Sequence, residues 1–124
     1  MLCWENPGRG GQRLMEVMNL TFQNHPQLLG FLFESDRPKL RHEASTLIRE
    51  AGAFSTGEKI LIRIALNLWS GHGSVCLWDI IEKLDQEDYQ QVVLGLQYLR
   101  QYDLDAPELM FRQLKLDTFR TGAN

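Results

Sequence analysis

The sequence predicts an all-α protein, a compact irregular or orthogonal bundle of five to six helices. Three observations carry this. Ser55 and Glu58 form a capping box that opens a long apolar run. Pro26, Pro38 and Pro107 each stand where a first helical turn would begin, the one helical position that tolerates a missing N–H. Between these starts, apolar residues recur three and four apart, the period of a helix with one buried face.

The first element is an arm. Residues 1 to about 12 hold Trp4, Pro7, Gly8, Gly10 and Gly11 and no sustained apolar pattern. Domain-like sequence begins near Met18, and Met15 or Met18 is a candidate true start. The boundaries read from the chain are a flexible arm over 1–17, one helical domain over 18–118 and a frayed tail over 119–124. Trp4 in the arm either anchors an interface or folds back onto the domain.

Asn24 is placed to cap a short buried helix with Pro26 in its first turn and Leu28, Leu29, Phe31, Leu32 and Phe33 after it. Ser35, Asp36, Arg37 and Pro38 mark a second start. From there Leu40, Ala44, Leu47, Ile48 and Ala51 fall on one helical face, and Gly52 stands where a helix would stop.

The helix opened by Ser55 is apolar on nearly every side, from Ile60 to Trp69. Its polar positions Lys59, Arg63 and Asn67 form one stripe. Such a helix belongs in the middle of the domain. The stripe is either a solvated edge, paired with acids such as Asp79 or Glu82, or a binding strip for an acidic partner.

Gly71 and Gly73 end that helix. Leu77, Trp78, Ile80, Ile81 and Leu84 then give a short amphipathic helix. Asp85 caps the next, with Tyr89, Val92, Val93, Leu96 and Leu99 as its buried stripe. Trp69 and Trp78 are expected to pack on each other or on the core. Asp105, Pro107 and Glu108 repeat the capping logic before a last helix carrying Leu109, Met110, Leu114 and Leu116.

The chain has 124 residues and a net charge of −3, with 44% hydrophobic and 23% charged residues. This is an ordinary globular balance and enough for one core. Cys3 and Cys76 show no disulfide framework, and Cys76 between Val75 and Leu77 reads as a buried thiol. No apolar leader is present, and the most apolar window, Ile60 to Trp69, is about half of what a membrane span needs. A cytoplasmic protein, bacterial or from a mobile element, is the expectation, without a membrane role.

Charge is unevenly spread. Six bases face three acids between Arg37 and Arg63, and seven acids face two bases between Asp79 and Asp105. The split suggests two surfaces. Arg37, Lys39 and Arg41 are the candidate partner-binding residues of the basic side. Glu87, Asp88, Gln91 and Arg100 are those of the acidic helix.

No catalytic, cofactor-binding or metal constellation is expected. His42-Glu43 lacks the second histidine of a zinc-protease helix, and Ser55-Thr56-Gly57-Glu58-Lys59 lacks the order of a phosphate loop. The best-supported class is a small non-catalytic interaction or adaptor protein, with a protein partner or a second copy of itself. The second reading is a nucleic-acid-associated regulator. The third is a small enzyme or ligand-binding protein with a site near His42, His72 and Cys76.

The second reading rests on layout. Helix 58–69, the glycine turn, helix 77–84 and helix 88–102 resemble the helix-turn-helix core of winged-helix regulators. The resemblance implies a recognition helix that enters the major groove by its first turns. Here those turns hold Gln86, Glu87 and Asp88, and acids beside phosphates repel the duplex.

Overall fold

A computed structural model describes residues 1–104. Six α-helices follow in order: α1 (Gly8–Thr21), α2 (Pro26–Leu32), α3 (Ala44–Glu50), α4 (Thr56–Ser70), α5 (Leu77–Lys83) and α6 (Gln86–Leu104). A short 3-10 turn, Ala51–Ala53, continues α3. The described residues hold no strand, only an isolated bridge between Phe33 and Leu40. The last helix and the tail over 119–124 read from the sequence lie outside the described residues.

α4 is the axis of the fold. Ser55 Oγ accepts from the Glu58 N–H at 3.2 Å, and Glu58 Oε1 accepts from the Ser55 N–H at 3.1 Å. Both halves of the capping box therefore form. Ile60, Leu61, Ile62, Ile64, Ala65 and Leu66 are all buried. α1, α2, α3, α5 and the 3-10 turn all touch this helix, as its all-round apolar surface requires. Gly71 closes it in the left-handed region, at φ +78°.

Residues 1–17 are not an arm. Leu2 and Trp4 are buried, while Cys3 and Glu5 between and after them are exposed. That alternation is the period of an extended segment. Cys3 and Glu5 donate backbone hydrogen bonds to Ser35 O and Asp36 O, each at 3.1 Å. Asn19 grips the backbone of Leu2 from both sides, at 2.8 and 3.1 Å. Trp4 donates its indole N–H to Glu34 O at 2.9 Å and meets Phe33 and Trp69 edge-on. Behind this strap, α1 runs from Gly8 despite its glycines, because Val17, Met18 and Thr21 bury one face of its second half.

Two helix starts differ from the sequence reading. α2 begins after His25 rather than Asn24, and His25 makes no side-chain cap. α3 begins at Ala44, not near Pro38. Residues 33–41 instead form a tight loop in which Glu34 N bonds Lys39 O at 2.9 Å and Arg41 N bonds Leu32 O at 3.0 Å. The backbone there is satisfied by the chain doubling back, and the Leu2–Glu5 strap takes the carbonyls on its outer side. At the end of α3, Gly52 is not a left-handed stop, since the helix tightens into the 3-10 turn.

α6 packs antiparallel on α1. Gly95 makes this approach close: a Cβ there would sit 2.5 Å from Thr21 Oγ1 and 3.1 Å from Val17 Cγ2. The far end is tied by Tyr102, whose hydroxyl donates to Arg9 O at 3.3 Å beneath the Arg9 guanidinium. Asp85 caps α6, accepting from the Asp88 N–H at 2.8 Å. The inward stripe is Asp88, Val92 and Gly95, with Leu99 half-buried. Tyr89 and Leu96, expected inside, are exposed. The stripe is rotated because glycine, not leucine, meets α1.

Candidate interaction surface

The loop after α4 sets the direction of α5. Gly73 has φ +76°, and a Cβ there would meet Arg63 O at 3.2 Å, so the loop lies flat on the end of α4. Asn67 holds it by donating to Gly73 O at 3.3 Å. α5 then starts from an extended Cys76 whose carbonyl accepts from Asp79 and Ile80. Asp79 lies in the first turn and pairs with Lys83 at 3.1 Å, a single-turn pair aligned with the helix dipole.

α5 packs on the core by one side only. Leu84 is buried and Ile80 is half-buried against the core. Leu77, Trp78 and Ile81 are 73%, 67% and 57% exposed. Positions 77, 78 and 81 share one side of a helix. The protein thus presents a ridge of three large apolar side chains on a seven-residue helix, with exposed Glu82, Asp85 and Glu87 following it. None of the helix's own residues is fully buried.

The sequence places these residues on a short amphipathic helix, with Trp78 expected to pack on Trp69 or on the core. Trp78 does not pack on Trp69, which lies instead against Trp4 and Phe33. Cys76, expected to be buried, is exposed. One signal was available: Trp78 and Ile80 are two residues apart, on opposite sides of any helix, so a short helix on one wall buries one and exposes the other.

The acidic-helix candidates separate. Glu87 and Arg100 are exposed and Gln91 is half-buried. Asp88 is 5% exposed, and both of its oxygens lie 2.9 Å from His25 Nε2. It is a structural residue of the α2–α6 junction, turned inward because its side chain is the first of the buried stripe.

The basic candidates lie on a loop rather than a helix. Arg37, Lys39 and Arg41 are exposed. Arg37 is engaged by Glu34, and this bond holds the Glu34 carboxyl below its usual range. Glu34, Ser35, Asp36, Arg37 and Arg41 line an open polar depression of about 400 Å³. Lys59 and Arg63 are half-exposed beside a hollow of about 30 Å³, the volume of about one water. Asp79, proposed as their partner, pairs with Lys83 instead.

The third candidate does not assemble. His42 is exposed in the loop before α3, and His72 takes a bond with Ser70 Oγ at 2.6 Å. Among the described residues no group of three or more His, Cys, Asp or Glu side chains is placed to hold a metal ion, so His42, His72 and Cys76 do not form one. Among the same residues no helix is long and apolar enough to cross a membrane. Comparison of the chain with protein-family models, with curated proteins and with solved structures finds no match.

Proposed function

We propose that this chain is a protein-interaction module that engages its partner through the apolar ridge of α5. The observation behind the reading is the exposure of Leu77, Trp78 and Ile81 together. Fully burying one such side chain stabilises a protein by about 1.5–3 kcal/mol. A fold that seats Trp4 and Trp69 but leaves Trp78 in water forgoes that stabilisation at one place. Clustered exposed apolar residues, one of them tryptophan, are the usual composition of an interface centre. Cys76 next to the ridge supplies the handle for a test. A photo-crosslinker on Cys76, in a Cys3→Ser background, should trap a protein that survives nuclease and is lost in the Leu77→Ala/Trp78→Ala variant. Nuclease-sensitive capture, or capture indifferent to that variant, refutes the reading.

Nucleic-acid binding has less behind it. Arg37 is engaged by Glu34, which leaves Lys39 and Arg41 as the loop's free bases. Duplex binders typically neutralise about six to ten phosphates. In the helix-turn-helix layout, Gln86 and Glu87 would face the groove, and Asp88 is turned to His25.

A further inference from the structure

We infer that the partner of α5 is a basic amphipathic helix, an inference that rests on α5 being the interaction face. Charge is the first argument. Glu82, Asp85 and Glu87 follow the ridge and are exposed. The local cation, Lys83, is matched by Asp79 at 3.1 Å. The N-terminus of α6 adds about half a positive charge, which leaves three carboxylates far from neutralised. An apolar ridge beside such acids is complementary to apolar side chains flanked by lysine or arginine.

The same charges disfavour the other occupants. A second copy docked about a two-fold axis would bring two acidic faces together, and like charges across an interface are costly. An anionic membrane surface is repelled for the same reason. The fold favours a helical partner over an added strand. Strand addition needs a sheet edge, and the described residues offer only the isolated Phe33–Leu40 bridge. A ridge at positions 77, 78 and 81 fits the groove between the side-chain rows of a second helix.

The test follows the indole N–H resonances of the full chain by NMR. The probe is a peptide of about 18 residues with leucine and lysine at helical spacing, beside its leucine–glutamate counterpart. The lysine peptide should shift the Trp78 resonance and spare that of Trp4, which is bonded to Glu34 O. Its affinity should fall steeply with salt and drop about tenfold in Glu82→Lys/Glu87→Lys, while Glu43→Lys/Glu50→Lys binds as the wild type does. Equal binding of both peptides, or preference for the acidic one, overturns the inference but leaves α5 as a docking face. So does a Trp78 resonance that moves only with protein concentration, which marks a second copy, or one that moves only with phosphatidylglycerol vesicles. If Trp78 is already shielded from acrylamide in the free chain, or if a peptide of residues 105–124 outcompetes the lysine peptide, the chain covers its own ridge. Both the inference and the reading beneath it then fall.

Discussion

His25 and Asp88 join the two ends of the fold across 63 positions of sequence, with the imidazole Nε2 at 2.9 Å from both carboxylate oxygens. Asp88 is nearly buried and sits in the first turn of α6, where its own N–H is taken by Asp85. The pair fixes the start of α6 against the α1–α2 corner. Removing one partner leaves the other short of a bond in a site largely closed to water. Asp88→Ala should therefore cost about 1–3 kcal/mol in urea unfolding. Asp88→Asn, which keeps the shape and an acceptor, should cost less.

Gly95 tests the approach of α6 to α1. A methyl group there lands 2.5 Å from Thr21 Oγ1 and 3.1 Å from Val17 Cγ2. In an exposed helix Gly→Ala would stabilise, since alanine is the better helix former by about 1 kcal/mol. Here overpacking opposes that gain, at about 1–3 kcal/mol. Gly95→Ala should destabilise, and Thr21→Ala in the same chain should recover part of the loss. A double-mutant cycle with no coupling would show that the two helices do not meet at this point.

Ser55→Ala should lower stability by about 1 kcal/mol through the lost cap. Glu58 supplies the pH dependence. Its carboxyl is held below the ordinary range, first by the Ser55 backbone N–H and then by the Ser55 side chain. A depressed carboxylate stabilises the fold above its unfolded pKa, and that contribution disappears as pH falls through the folded value. The gap in thermal midpoint between wild type and Glu58→Gln should thus be present at neutral pH and shrink in acid.

The helices were legible where local chemistry and burial agree. Ser55 and Glu58 specify the start of α4, and the run from Ile60 to Leu66 specifies its depth. The strap was legible only in part. Leu2 and Trp4 alternate with Cys3 and Glu5, a two-residue period too short to outweigh Pro7, Gly8, Gly10 and Gly11 beside it. The 33–41 loop was hidden for another reason. Leu40 does lie at helical spacing from Ala44 and Leu47, but it reaches the core from a bridge to Phe33. The ridge of α5 was legible only as the opposition of Trp78 and Ile80, because amphipathic spacing reports which residues share a side, not whether another element covers it.

Trp4 measures how much the strap matters. It is 5% exposed and packs on Phe33 and Trp69 at centroid distances of 5.7 and 6.0 Å. Trp4→Ala should cost about 3–5 kcal/mol, the range for a buried aromatic. A chain begun at Met15 would lack Leu2 and Trp4, the bonds to Glu34, Ser35 and Asp36, and also the first half of α1 with its Arg9–Tyr102 contact. It should unfold well below the full chain in thermal melts. Equal stability of the two would return residues 1–14 to the status of an arm.

Leu66 and Leu77 are the same residue type in opposite settings. Leu66 is fully buried in α4, and Leu77 is 73% exposed on α5. Leu66→Ala removes packed methyl groups and leaves a cavity, at about 2–5 kcal/mol. Leu77→Ala removes little that the isolated chain has buried, so its effect should stay within about 0.5 kcal/mol. The two variants also divide stability from binding. Leu66→Ala should weaken partner capture only to the extent that it unfolds the chain. Leu77→Ala should leave the urea midpoint in place and still weaken capture, because its side chain is exposed on the proposed docking ridge and not packed in the core. If Leu77→Ala costs as much stability as Leu66→Ala, the ridge is core covered by some other part of the chain, and α5 is not the docking face.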